Sequence, residues 1–204
     1  MCGIAGFFTG QPTSADLLNA KAGEMADRLI HRGPDDRGTW ADPLVGVAFG
    51  FRRLAIIDLS ENGHQPMVSH SGESALVFNG EVYNYQELRG ELEAHGTRFR
   101  GHSDSEVILE ALERWGVEET LPRLSGMFSI AFWDSKRRRL TLARDRLGIK
   151  PLFIYHRSGL VSFGSELKAL AAGPSFDRTL DLDSVSEFLR YLYVPAPNTI
   201  FANV

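Results

Sequence analysis

The residue with the clearest capacity for chemistry is Cys2, the single cysteine of the chain, which follows Met1 directly. Methionine aminopeptidases remove Met1 when the next residue is small, and this would leave the α-amine and the thiol on one residue. Their ordinary pKa values, about 7.7–8.0 and about 8.5, let the amine accept the thiol proton near neutral pH. Cys2 would then be a nucleophile with its own general base. The alternative is a small buried hydrophobe at the start of a strand, and Gly3 and Gly6 favour the nucleophile because glycine lets backbone approach a ligand.

Asn79 and Gly80 could supply the hydrogen-bond donors that a thiolate attack on a carboxamide requires. Each donor aimed at the developing oxyanion is typically worth about 3–4 kcal/mol of barrier. The pair follows the apolar stretch 75–78, which reads as a strand. Asn-Gly is also the commonest hairpin turn, but residues 81–85 lead into a helical pattern and not into a second strand, which weakens the turn interpretation.

A free amino-acid substrate needs a cation for its carboxylate and an anion for its ammonium. Arg53 is the candidate for the carboxylate, because a guanidinium binds it through a bidentate fork. Asp104 and Glu81 are the candidates for the ammonium. Each has a simpler alternative when taken alone, namely surface charge for Arg53 and a helix N-cap for Asp104.

The helices and strands that must hold these residues are predicted in groups, with helices between groups of strands. Period-two apolar patterns and turn residues predict strands near 3–8, 45–51, 75–78, 128–132, 140–142, 152–155 and 160–163. Period-3.6 patterns and caps predict helices from Thr13 or Ser14 to Gly33-Pro34, over 85–95, over 104–115 and over 185–192. Strands in hairpin succession with paired helices between them indicate an α+β fold with antiparallel sheets.

Composition narrows the class of function. The net charge of −4 and the pI near 5.9 argue against nucleic acid or an anionic membrane as a partner. One cysteine makes no internal disulfide. No apolar run approaches the roughly 20 residues that span a bilayer, and the N-terminal stretch is too short for a signal peptide. We therefore expect a cytoplasmic protein.

Taken together, the motifs resemble class II glutamine amidotransferases, most closely the glutaminase domains of asparagine synthetases. The matching stretches, in order, are Cys2-Gly3-Ile4-Ala5-Gly6, His31-Arg32-Gly33-Pro34-Asp35, Arg53-Leu54-Ala55-Ile56-Ile57-Asp58, Gln65-Pro66-Met67, Asn79-Gly80-Glu81-Val82-Tyr83-Asn84, Ser103-Asp104-Ser105-Glu106, Leu124-Ser125-Gly126-Met127-Phe128, Ala143-Arg144-Asp145-Arg146-Leu147-Gly148-Ile149-Lys150-Pro151-Leu152 and Ser165-Glu166-Leu167-Lys168-Ala169-Leu170.

The resemblance implies an N-terminal-nucleophile fold, a four-layer sandwich in which two stacked antiparallel β-sheets lie between helical layers. It implies that Cys2 attacks the side-chain carboxamide of L-glutamine and forms a γ-glutamyl thioester. The other implied roles are the oxyanion hole for Asn79 and Gly80, the α-carboxylate for Arg53, the pocket lining for Leu54, Ala55, Ile56 and Ile57, and the α-ammonium for Glu81 and Asp104. Residues 31–35 are expected to support the Cys2 loop. No metal ligand and no cofactor are implied in this chain.

We expect residues 1–204 to form one glutaminase domain that stops near its C-terminal end. Asparagine synthetases continue into an ATP pyrophosphatase domain with a Ser-Gly-Gly-x-Asp-Ser loop, and the nearest string here, Leu124-Ser125-Gly126-Met127, lacks the second glycine and the aspartate. The resemblance implies that ATP, magnesium and the ammonia acceptor belong to that synthetase domain of the full-length chain. It leaves a homodimer open. The alternatives are a non-catalytic binding or regulatory domain, amidotransfer to a sugar or secondary metabolite, and an amidase for another small amide.

Overall fold

The structure is a computed structural model that describes residues 1–55 and 61–204. Its strands are β1 (Gly3–Phe8), β2 (Asp36–Asp42), β3 (Val47–Arg53), β4 (Met67–Val68), β5 (Ser74–Val82), β6 (Gly126–Asp134), β7 (Arg139–Arg144), β8 (Phe153–Arg157) and β9 (Leu160–Gly164). Its helices are α1 (Ala15–Asp27), α2 (Tyr85–Ala94), α3 (Asp104–Trp115), α4 (Val117–Arg123), α5 (Leu167–Leu170) and α6 (Leu182–Tyr191).

The strands form two antiparallel sheets, so the predicted α+β class is confirmed. One sheet has the order β2-β3-β1-β9-β8 and the other the order β4-β5-β6-β7. One apolar cluster fills the space between the sheets, a second packs the outer face of the β5 sheet against α2, α3 and α4, and a third packs the outer face of the β1 sheet against α1 and α5. The result is the predicted order of layers: helix, sheet, sheet, helix.

The alternation of side chains in β5 shows how each strand serves two cores. Leu76 and Phe78 belong to the core beneath the helices, whereas Ala75 and Val77 belong to the core between the sheets. Successive side chains of a strand point to opposite faces. Any residue two positions beyond Val77 therefore faces the space between the sheets as well.

The first predicted helix is correct at its start and wrong at its end. Ser14 is the N-cap, with its hydroxyl accepting from the Leu17 N–H. The helix ends at Asp27 and does not continue to Gly33, because the chain tightens into three-residue turns after it, such as the 2.8 Å bond from the Leu29 N–H to the Ala26 carbonyl. This directs the following loop onto β3, where a β-carbon on Gly33 would lie 2.5 Å from the backbone of Arg52.

The last predicted helix exists, but its apolar residues do not enter the core. Phe188, Leu189 and Leu192 are 44%, 75% and 80% exposed, and the buried residue of α6 is Ser184. The apolar spacing identified the element and not its packing partner. Strands β2 and β4 and helices α4 and α5 were not predicted, since their segments carry little apolar periodicity. In the described ranges, no helix is both long and apolar enough to cross a membrane.

Candidate active site

Strand alternation places three of the predicted site residues in one space between the sheets. Cys2, Arg53 and Asn79 each lie two positions along the chain from a member of the inter-sheet core. Those members are Ile4, Phe51 and Val77, respectively. Because β1 pairs with β3 and the second sheet packs over both, the three side chains converge at one end of the sandwich.

They line one cavity of about 130 Å³. On the same scale one water needs about 10–15 Å³, so the cavity has room for a small amino acid. Predicted site residues on its wall are Cys2, Arg53, Leu54, Asn79, Gly80, Glu81 and Asp104, and further wall residues include Met1, Gln65, Ser105, Met127 and Lys150. Ala55 is not on this wall as the described residues define it, and Ile56 and Ile57 lie outside the described residues.

The Cys2 side chain is held against the segment that follows β3. Its sulfur accepts from the Leu54 N–H at 3.4 Å and lies 3.6 Å from the Leu54 carbonyl, to which the thiol can donate. Burial raises the pKa of the thiol, while the Leu54 N–H lowers it to a smaller extent. The thiol is therefore protonated at neutral pH and needs a base before it can attack.

Asn79 and Gly80 lie inside β5 and not after it, and this decides where their N–H groups point. The Phe78 N–H donates to Gln65 Oε1 at 2.7 Å and the Val82 N–H donates to Asp104 Oδ2 at 3.0 Å. Backbone N–H groups alternate sides along a strand, so the Gly80 N–H, midway between these two, points to the same side. Among the described residues, no strand pairs with this edge of β5 at Gly80, because β4 pairs with Ala75 and Leu76.

The Asn79 amide is the clearest sign that the cavity can bind a hydrogen-bond acceptor. Asn79 is 1% exposed, yet its Nδ2 has no hydrogen-bond partner among the described residues. Buried polar groups in folded proteins are almost always paired. Asn79 lies on the cavity wall that also carries Cys2. Its buried Nδ2 can therefore donate to an acceptor on a molecule bound in the cavity.

Asp104 begins α3 but does not cap it. The N-cap is Ser103, whose hydroxyl accepts from the Glu106 N–H, while the Asp104 carboxylate reaches back to β5. Burial raises the pKa of Asp104 to about 6, the Val82 N–H opposes this, and the nearby charge of Glu81 adds to it. A cation bound beside this buried carboxylate would stabilise its ionised form.

The segment 31–35 holds the backbone around Cys2, as expected. Arg32 Nε donates to the Cys2 carbonyl at 3.0 Å, and Asp35 Oδ2 accepts from the Ala55 N–H at 2.9 Å. Glu166 binds Arg32 at 3.1 Å and the imidazole of His31 at 2.8 Å. Burial raises the pKa of Glu166, but the hydrogen bonds from His31, Arg32 and Lys168 outweigh it and lower that pKa to about 2.

Gln65 is a site residue to which sequence reasoning assigned no role. It is 4% exposed and bridges two elements, accepting from the Phe78 N–H and donating from Nε2 to Ser105 Oγ at 3.2 Å. It thereby connects the strand of Asn79 to the start of α3. The signal was present in Gln65-Pro66-Met67, but the role depends on elements far apart in sequence.

Within the described ranges, no three His, Cys, Asp or Glu side chains converge as a metal site would require.

Comparison with known sequences agrees with this geometry. The family model described as "Glutamine amidotransferase domain" matches residues 1–204. Asparagine synthetase [glutamine-hydrolyzing] 1 of Bacillus subtilis is 40% identical over 205 residues, covering 100% of this chain and 32% of the relative. A putative asparagine synthetase [glutamine-hydrolyzing] of Mycobacterium tuberculosis is 41% identical and covers 100% of this chain and 33% of the relative. The chain spans about a third of the length of these relatives.

Among solved structures, the chain is similar to the glutamine phosphoribosylpyrophosphate amidotransferase of B. subtilis complexed with ADP and GMP. The TM-score is 0.70 at 21% identity, over 84% of this chain and 43% of that one. At that identity the likeness shows the fold alone, and it confirms the predicted four-layer sandwich. With the family model matched from end to end, the chain belongs to the glutamine amidotransferase domain family.

Proposed function

We propose that this domain hydrolyses L-glutamine to glutamate and ammonia through Cys2 once Met1 has been removed. The observation that carries the proposal is the buried Nδ2 of Asn79, which has no hydrogen-bond partner among the described residues and lies on the same cavity wall as the Cys2 thiol. A donor in that place suits the oxyanion that forms when sulfur adds to a carboxamide. In the same cavity, Arg53 and Asp104 carry the charges complementary to an amino acid.

Arg53 would bind the α-carboxylate, and Asp104 with Glu81 would bind the α-ammonium. The freed α-amine of Cys2 takes the thiol proton, and the sulfur bonds to the carboxamide carbon. Asn79 Nδ2 and the Gly80 N–H stabilise the oxyanion. The C–N bond then breaks, and the proton passes from the amine to the departing nitrogen, which leaves as ammonia. Water adds to the γ-glutamyl thioester and yields glutamate and the free thiol.

The ammonia would be used by an ATP-dependent synthetase domain in the same full-length chain, where ATP and magnesium would bind. Two observations support this proposal. The relatives are about three times as long as this chain, and they are named asparagine synthetases. Aspartate is accordingly the acceptor we propose.

The test begins with the 204-residue chain freed of Met1, as verified by intact mass. Incubation with L-glutamine should release glutamate and ammonia, and Cys2→Ala should stop both. Asn79→Ala should lower kcat by about 10²- to 10³-fold, the usual cost of one oxyanion donor. Asn203→Ala is the matched control, because the Asn203 amide donates to Asp177 away from the cavity. Full turnover in Cys2→Ala, or an unchanged kcat in Asn79→Ala, would contradict the mechanism.

A non-catalytic role is the second candidate, and the position of Met1 favours it. Met1 lies on the cavity wall, and while it remains attached the Cys2 nitrogen is an amide that cannot act as a base. If the chain keeps Met1 in cells, it should bind glutamine without turnover. Intact mass of protein purified from its host decides between the two roles.

A further inference from the structure

Lys150 is a buried cation on the wall of the cavity, and the proposed reaction gives it no role. It is only 6% exposed, yet it lies on the wall shared with Cys2. Among the described residues, the hydrogen-bond partner of its Nζ is the Met1 thioether, at 3.5 Å. A thioether is a weak acceptor, and this one leaves with Met1. Lys150 then lies on the same cavity wall as Cys2, the residue that carries the free α-amine once Met1 is removed.

The loop before Lys150 is built to hold this position. The Asp145 carboxylate accepts from the N–H groups of Phe128 at 3.2 Å, Ile149 at 2.8 Å and Lys150 at 2.9 Å. Arg144 Nε donates to the Lys150 carbonyl at 2.6 Å. Both backbone polar groups of Lys150 are therefore paired, which limits how far its backbone can move away from the cavity.

The other charged groups around Cys2 already have tasks, either in the proposed reaction or in holding the backbone around Cys2. They are Arg53 at the end of β3, Glu81 in β5, Asp104 at the start of α3, and Arg32 on the Cys2 carbonyl with Glu166 and His31 behind it. Arg53 and Asp104 match the two charges of glutamine, and Arg32 is paired with Glu166. Glutamine has one carboxylate, which is assigned to Arg53, so the substrate has no second carboxylate to pair with Lys150.

We propose that Lys150 is a positioning residue that acts through Cys2, favouring the neutral, proton-accepting form of its α-amine and the thiolate form of its side chain. The proposal rests on the proposed function. A nearby cation disfavours a second cation, here the protonated amine, and favours an anion, here the thiolate. Both effects oppose the burial that keeps the Cys2 thiol protonated.

The first test is the pH profile of kcat/KM in chain freed of Met1. Lys150→Met should move the acid limb upward by about 0.5–1 pH unit, which is about a three- to tenfold loss at pH 6 with little change at pH 9. Lys150→Gln should do the same, and Lys150→Arg should restore the profile. Lys136→Met is the control, because Lys136 pairs with Glu73 on an exposed turn and should shift nothing.

The second test needs no turnover. Cys2 is the single thiol of the chain, so the rate of its alkylation by iodoacetamide, followed against pH without glutamine, reports thiolate formation directly. The midpoint should move upward in Lys150→Met. A shift in alkylation without glutamine turnover in any variant would sink the proposed function and leave the role of Lys150 standing. Turnover with unshifted profiles, or a loss that is equal at every pH, would overturn the role of Lys150 alone.

Discussion

Replacing Asp104 with asparagine should stabilise the fold while it weakens substrate binding. The folded-state pKa of Asp104 is raised from the ordinary 3.8 to about 6, mainly by burial. Between those values the folded chain binds more protons than the unfolded chain, so this group lowers stability as the pH rises. Because the pKa of Asp104 is about two higher in the folded chain, ionised Asp104 lowers the free energy of unfolding by about 3 kcal/mol at neutral pH. Asparagine carries no charge and still offers an oxygen to the Val82 N–H.

The measurement is urea unfolding of both proteins at pH 7.5 and at pH 4, followed by tryptophan fluorescence. Asp104→Asn should raise the free energy of unfolding at pH 7.5 by about 2 kcal/mol more than at pH 4, where the wild-type carboxyl is already protonated in the folded state. In chain freed of Met1, the same substitution should raise the KM for glutamine by about tenfold, since charged hydrogen bonds are worth about 1.5–3 kcal/mol.

Asp134→Asn is the control with the opposite sign. Burial raises the pKa of Asp134, but the Arg137 N–H and guanidinium, both at 2.8 Å, bring it below its ordinary value. The ionised Asp134 carboxylate therefore raises the free energy of unfolding above its unfolded-state pKa, and this contribution is lost as the pH falls. Asp134→Asn should lower the free energy of unfolding more at pH 7.5 than at pH 4. An equal effect of Asp104→Asn at both pH values would refute the burial argument. An unchanged KM would refute its contact with the ammonium.

Three further substitutions test packing, one beside the site and two in the helices. Gln65→Leu should cost about 1–3 kcal/mol in urea unfolding, because it leaves the buried Phe78 N–H without its acceptor; a neutral result would mean that the bridge from β5 to α3 contributes nothing. Leu92→Ala should cost about 2–5 kcal/mol, since Leu92 is fully buried between α2 and the sheet. Leu189→Ala, at a position 75% exposed, should change stability by less than about 0.5 kcal/mol, and a larger loss there would show that the exposed face of α6 is covered in solution.

Much of the site was accessible from residue types and their order. Cys2, Arg53, Asn79 and Asp104 were candidates on chemistry alone, and the ordered motifs assigned their roles by resemblance. The structure brings these four onto one cavity wall. Their catalytic and binding roles stay predictions until the variants are measured.

Other features depended on contacts that no local pattern encodes. Asn79 was expected after a strand, but pairing with β6 carries β5 through it to Val82. Lys150 and Gln65 were visible in the motifs without a role, because each acts by reaching residues from 13 to 149 positions away. The apolar residues of α6 indicated a helix but not a partner for it.

By itself, the sequence determined which groups could do chemistry and which residues within each predicted strand share a face, since strand periodicity is a local property of the chain. Only the tertiary structure decided that the Gly80 N–H points to the edge of β5 that faces away from β6, that the Asn79 amide has no partner among the described residues, and that burial raises the pKa of Asp104 to about 6. Burial and electrostatic environment depend on segments that are distant in sequence and meet only when the two sheets pack together.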